Sequence, residues 1–131
     1  MKILDSDHCV AILRGQLDLK DHIQPDEELA ITTISVGELA YGAHKSKRAA
    51  DNLARLDVLF SALTLLPYDD QAARRFGQLK AALEQGGERL SDLDVQIASI
   101  AIESQSPLVT HNRSHFARLM DMADLVLKDW L

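Results

Sequence analysis

Cysteine is nearly absent: Cys9 is the only one in 131 residues. That excludes an intramolecular disulfide and any metal site built on several thiolates, and Cys9 itself reads as a small buried hydrophobe. Proline and glycine are too scattered to make a linker, and no low-complexity tract or long-period repeat occurs. Residues 1–131 are therefore expected to form one domain, a size at which roughly two thirds of the unfolded chain's surface is buried. No run approaches the roughly 18 consecutive apolar residues of a membrane span. A secretory signal is cut short as well, because Asp5 and Asp7 follow after only "IL". The expected location is the cytoplasm. Basic excess is also missing, since 14 Lys and Arg stand against 20 Asp and Glu, a formal net charge of −6. This argues against holding nucleic acid through a broad basic surface. It leaves open an enzyme acting on phosphates, because an acidic cluster loaded with a divalent cation presents positive charge.

What the chain does have is alternation. An apolar fraction of 47% and a charged fraction of 26% are ordinary for a globular protein. Short apolar runs at 2–4 ("KIL"), 29–32 ("LAIT"), 63–66 ("LTLL"), 107–110 ("PLVT") and 124–127 ("DLVL") are separated by stretches of helical spacing. Helices are expected at 35–44, 49–62, 71–85 and 92–104. In the third, Ala72, Phe76, Leu79 and Leu83 share one face. Strands alternating with helices imply an α/β fold whose parallel sheet is covered on both faces.

Ligand sites of open parallel sheets lie beyond the carboxyl ends of the strands, where strand order reverses. Asp5 and Asp7 follow the first strand, Glu38 lies in the helix after the second, Asp94 opens the helix before the fourth, and Asn112 follows the strand ending at Thr110. Each has a plainer reading. Asp5-x-Asp7 makes an ordinary turn. Ser35 and Glu38 fit a capping box. Ser91 can cap the helix while Asp92 and Asp94 face its positive end. Asp69-Asp70 most simply begins a helix, and Trp130 packs on the domain. The joint pattern weighs differently, because three or four converging carboxylates repel one another without a cation. Oxygen-only ligands suit Mg²⁺ or Mn²⁺.

The segments "MKILDSDH", "ILRG", "ITTISVGELAYGAHKS", "LSDLDVQIASIAIES" and "PLVTHNRSHFARL", ending in "LKDWL", resemble the successive motifs of PIN-domain ribonucleases, and specifically of VapC toxins from prokaryotic toxin–antitoxin pairs. The resemblance runs from Met1 to Leu131. It implies a single PIN-like domain with a central parallel sheet of about five strands flanked by helices, acting as an endoribonuclease that depends on Mg²⁺ or Mn²⁺. By motif position Asp5, Glu38 and Asp94 are the metal ligands, Asn112 assists them, and Ser6 orients the first acid. It further implies structured RNA as substrate, tRNA first among candidates, together with a cognate antitoxin and a homodimer. Two positions depart from the pattern: Asn112 stands where many relatives carry a fourth acid, and His115 where Glu or Asp is common. Binding of a second metal is thereby put in doubt, and Asp7 is a candidate for part of the missing charge.

His111 and His115 invite a general acid or base role, since histidine as a residue type suits it, but a surface or turn role for His111 and a structural role for His115 are the plainer readings. The run "HKSKR" at 44–48, with Arg74, Arg75 and Arg113, is either a phosphate-contacting group or a solvated face. Two competing readings stand beside the ribonuclease. One is a PIN-fold binding partner that has lost catalysis through the Asn112 and His115 departures. The other is a haloacid-dehalogenase-like phosphatase using Asp5-x-Asp7 as nucleophile and acid.

Overall fold

Residue alternation along the strands decides which face of the sheet each helix covers. In a computed structural model describing residues 1–131, five strands form one sheet: β1 (Lys2–Leu4), β2 (Leu29–Thr32), β3 (Thr64–Leu66), β4 (Leu108–Val109) and β5 (Leu127–Lys128). The order is β3-β2-β1-β4-β5 and every pairing is parallel. Successive side chains of a strand point to opposite faces. Ile3, Ala30 and Leu108 thus join one apolar cluster while Leu4, Ile31 and Val109 join the other.

Six helices supply the rest of these two clusters. On one face, α1 (Ser6–Leu13), α2 (Thr33–Lys45) and α3 (Ala49–Ser61) bury Cys9, Leu39, Ala43 and Leu56. On the other, α4 (Asp70–Gln85), α5 (Asp92–Glu103) and α6 (Arg113–Ala123) bury Leu79, Leu83, Val95, Ile97, Phe116 and Leu119. The stripe expected in α4 is present, with Ala72, Leu79 and Leu83 buried and Phe76 packed against them. A single 3₁₀ turn at Leu19–Asp21 lies in the connection to β2.

The structure corrects the sequence reading at three places. Asp5-x-Asp7 is not a turn: Asp5 is the N-cap of α1, its carboxylate accepting the Ser6 N–H at 2.9 Å. That helix escaped notice because it is one short run of eight residues. It ends at Gly15, whose φ of 70° allows the closing bonds Gly15 N–H to Ile12 at 3.1 Å and Gln16 N–H to Ala11 at 2.8 Å. The capping box expected at Ser35 is displaced by one turn, since Thr32 is the N-cap and its Oγ1 accepts the Ser35 N–H at 3.1 Å. β2 therefore runs into α2 with no loop between them. The last strand, expected at 124–127, is moved on to Leu127–Lys128, because Asp124 takes a left-handed turn at φ 56°.

Strand order reverses beside β1, where β2 lies on one side and β4 on the other. The carboxyl ends of β1 and β4 thus open a crevice, and Asp5 N–H reaches across to Val109 at 2.9 Å to fix its lower edge. No helix is long and apolar enough to cross a membrane.

Candidate active site

Asp5 stands at the end of β1 and is 6% exposed. Its second carboxylate oxygen accepts a hydrogen bond from the buried Thr110 hydroxyl at 2.7 Å, across the crevice from the end of β4. Ser6, the next residue, donates its hydroxyl to Glu38 Oε1 at 3.2 Å. Ser6 thus links the first strand's acid to the acid on α2. Had Ser35 capped α2, the Glu38 carboxylate would have been drawn back to the helix start; with Thr32 as cap it is free to face Ser6.

Asp94 enters from the other face of the sheet. Ser91 caps α5 as expected, accepting the Asp94 N–H at 3.1 Å. Asp94's side chain is about a quarter exposed, and His115 Nδ1 lies 3.7 Å from its Oδ2, beyond hydrogen-bond reach. The charges report this convergence. Burial raises the Asp5 carboxyl above the ordinary aspartate range, Thr110 and Ser6 N–H pull it back, and the negative charges of Asp7 and Asp94 push it up again. Glu38 is raised by burial and by Asp5, relieved by Ser6, and opposed by Asp94. Asp5, Glu38 and Asp94 are therefore brought within one another's field.

Asn112 is beside this group rather than in it. Its N–H donates to Thr110 Oγ1 at 3.1 Å, but its side chain is exposed and makes no cap for α6. No group of three or more His, Cys, Asp or Glu side chains is arranged to hold a metal ion by direct ligation. The donor set is nonetheless all oxygen, and Mg²⁺ keeps several waters while taking only one or two carboxylates directly. Mutually repelling acids at a polar crevice fit such a hydrated ion.

Behind these acids lies a support that sequence reasoning missed. His8 is fully buried, with Nδ1 2.6 Å from Asp7 and Nε2 accepting the Trp130 N–H at 3.0 Å. Since Nε2 accepts, Nδ1 carries the proton and donates to Asp7. Asp7 also accepts the His111 N–H at 2.9 Å, and His111 Nδ1 lies 2.9 Å from Asp129. Burial pushes Asp7 up, yet the bonds from His8 and His111 hold it below the usual range. Asp7 is thus the anchor of the 110–112 loop. Thr110 carried no local signal because the acids it bonds are over one hundred residues away in sequence, and His8, though next to Asp7, because its other partner, the Trp130 N–H, is likewise distant.

The remaining expectations divide. Trp130 packs on the domain, stacked on His22 with ring centroids 5.1 Å apart. Cys9 is buried, and burial pushes its thiol up to about 12, so it holds a thiol rather than a nucleophilic thiolate. Arg74 is paired with Asp70 at 3.0 Å on an exposed helix face, and Arg75 with Glu103 at 2.7 Å. His44, Lys45, Lys47, Arg48 and Arg113 are all exposed.

The arrangement has clear counterparts among known proteins. The PIN domain family model matches residues 2–121. Ribonuclease VapC2 of Rickettsia felis is 31% identical over 132 residues, covering 98% of this chain and 96% of its own. The tRNA(fMet)-specific endonuclease VapC of Salmonella typhimurium is 31% identical over 133 residues, with the same coverage of both chains. The solved structure of VapBC2 from Rickettsia felis bound to a promoter DNA fragment superimposes with a TM-score of 0.88 at 30% identity, covering 99% of this chain and 98% of that one. DNA-bound VapBC from Salmonella typhimurium does so at 0.89 and 30%, over the whole of both chains. With the matched domain spanning nearly all of its sheet and helices, and relatives aligned along its full length, this chain belongs to the PIN-domain family, among the VapC ribonucleases.

Proposed function

We propose that residues 1–131 act as one PIN domain, a cytoplasmic toxin of a toxin–antitoxin pair that cuts RNA phosphodiester bonds with the help of Mg²⁺ or Mn²⁺. The observation that carries this reading is the Asp5–Ser6–Glu38 linkage at the switch point, with Asp94 facing it from the opposite layer. Asp5, Glu38 and Asp94 would hold the ion, which when bound supplies an activated water and positive charge for the phosphate. The chain's own contribution is positioning. Thr110 and the Ser6 N–H fix both oxygens of Asp5, the Ser6 hydroxyl fixes Glu38, and Asn112 offers an amide at the crevice rim for a water or a substrate oxygen. No covalent enzyme intermediate is needed.

tRNA is the first substrate to try, because the Salmonella relative is named for tRNA(fMet). A cognate antitoxin is the expected partner, because the solved relatives are VapBC complexes, and a homodimer follows from the family resemblance. The test is a gel assay of the protein, freed of any copurifying partner, on total tRNA with Mg²⁺ or Mn²⁺, beside EDTA and the Asp94→Asn variant. The expected result is a discrete, metal-requiring cut that disappears in the variant. An uncut tRNA pool with Mn²⁺ binding through Asp94 intact would move the search to another RNA. Loss of both cutting and Mn²⁺ binding would leave the chain a binding partner without catalysis.

A further inference from the structure

All but one of the aromatic side chains are packed. Phe116 is fully buried, Tyr68 meets Phe76 edge-on with centroids 6.4 Å apart, Trp130 stacks on His22, and Phe60 packs against the α1–α3 cluster. Tyr41 is the exception, 66% exposed and with no aromatic neighbour. An exposed ring in a chain with so few needs a reason, because burying it would gain much apolar area.

Its position supplies one. Tyr41 lies on α2 three residues beyond Glu38, which places the two side chains on one face of the helix. Together they wall a cleft of about 630 Å³ whose opposite side is Leu93, itself 46% exposed and adjacent to Asp94. The cleft therefore lies between the helices that carry two of the three acids and has Glu38 in its wall. Lys45, one turn further along α2, holds its Nζ 5.4 Å from the Tyr41 ring centroid and is paired with no carboxylate. An open ring, an apolar wall and a free cation beside the catalytic carboxylates match what an unpaired nucleotide presents: a flat base and a phosphate.

We propose that the Tyr41–Leu93 cleft is a nucleobase subsite, in which a base next to the scissile phosphate leaves its stack and lies on Tyr41, with Lys45 meeting the neighbouring phosphate. This rests on the ribonuclease reading and refines it. Stacking tolerates any base, so the subsite selects for an unpaired nucleotide rather than a particular letter. It also lets a chain of net charge −6 hold RNA with few phosphate contacts.

The test is fluorescence anisotropy of a short labelled single-stranded RNA and of its duplex, in Mg²⁺, with the Asp94→Asn protein as the uncutting parent. Tyr41→Ala in that parent is expected to weaken single-strand binding on the order of tenfold, with duplex binding, melting temperature and oligomeric state unchanged. Tyr41→Phe is expected to restore it, since the ring and not the hydroxyl does the stacking. Unchanged single-strand affinity in Tyr41→Ala overturns the subsite, while RNA cleavage in the gel assay would still stand. Loss of dimer or of antitoxin binding at constant RNA affinity overturns it in favour of a protein interface. A wild-type protein that neither cuts nor binds RNA overturns the ribonuclease reading and the subsite together.

Discussion

At the scale of single residues the site is a balance of opposed charges. Burial and the neighbouring acids raise Asp5 and Glu38, so in the metal-free protein both take a proton more readily in the fold than in the unfolded chain. Their contribution to stability is complete below the ordinary carboxylate range and is lost as pH rises through the raised values. Asp7 and Asp129 have the opposite sign. Although burial opposes it, Asp7 is held low by His8 and His111, and Asp129 by the Leu131 N–H and His111; their contribution is present above the ordinary range and lost as pH falls. Glu38→Gln removes one member of the first pair and leaves the second untouched. In EDTA, urea titration should therefore find Glu38→Gln more stable than wild type at neutral pH, with the gap closing as pH falls towards about 4. Added Mn²⁺ should stabilise the wild type more than the variant. An equal stability of the two proteins across that range would show that the acids do not repel. Motif position singled out Asp5, Glu38 and Asp94 as candidates in the sequence; what it could not show is the company they keep. Thr110 reaches its acids, and His8 the Trp130 N–H, only because the fold brings them close.

At the scale of elements the caps decide where each carboxylate points. Thr32, Asp69 and Ser91 begin α2, α4 and α5, each accepting a backbone N–H at 3.1, 2.9 and 3.1 Å respectively. The four longer helices and the first four strands were legible because their periodicity and turn residues agree with their final packing. The start of α2 was not, because Ser35-x-x-Glu38 is the fuller local capping pattern, and Thr32 prevails where β2, paired with β3 as far as Thr32, runs straight into the helix. The caps also separate stability from function. Ser91→Ala and Asp69→Ala should each cost about 1 kcal/mol of folding stability. Only Ser91→Ala should also weaken Mn²⁺ binding, because the released N–H belongs to Asp94, whereas α4 carries none of the acids. Calorimetric Mn²⁺ titration of the two variants decides this, and equal affinities would mean that the cap does not position Asp94.

At the scale of the whole molecule the charge balance constrains how RNA is held. Four of the fourteen Lys and Arg are already paired with carboxylates, namely Lys2, Arg74, Arg75 and Lys80. Near the acids stand few free cations: Arg14 and Arg55 line the groove that begins at Ser6 and Glu38, and Lys45 lies by Tyr41. Arg55 also donates to the Leu13 carbonyl, which holds its guanidinium at that groove. Three or four such contacts to a single strand correspond to a slope of log affinity against log salt of roughly −2 to −3. A protein gripping RNA through a broad basic face would fall much more steeply. Anisotropy titrations of the Asp94→Asn protein across a series of salt concentrations at fixed Mg²⁺ should give the shallow slope, and Arg14→Gln should make it shallower by about one contact, roughly 0.7. A slope steeper than about −5 would require a phosphate-binding surface away from the crevice, and the Arg14→Gln variant would then leave it unmoved.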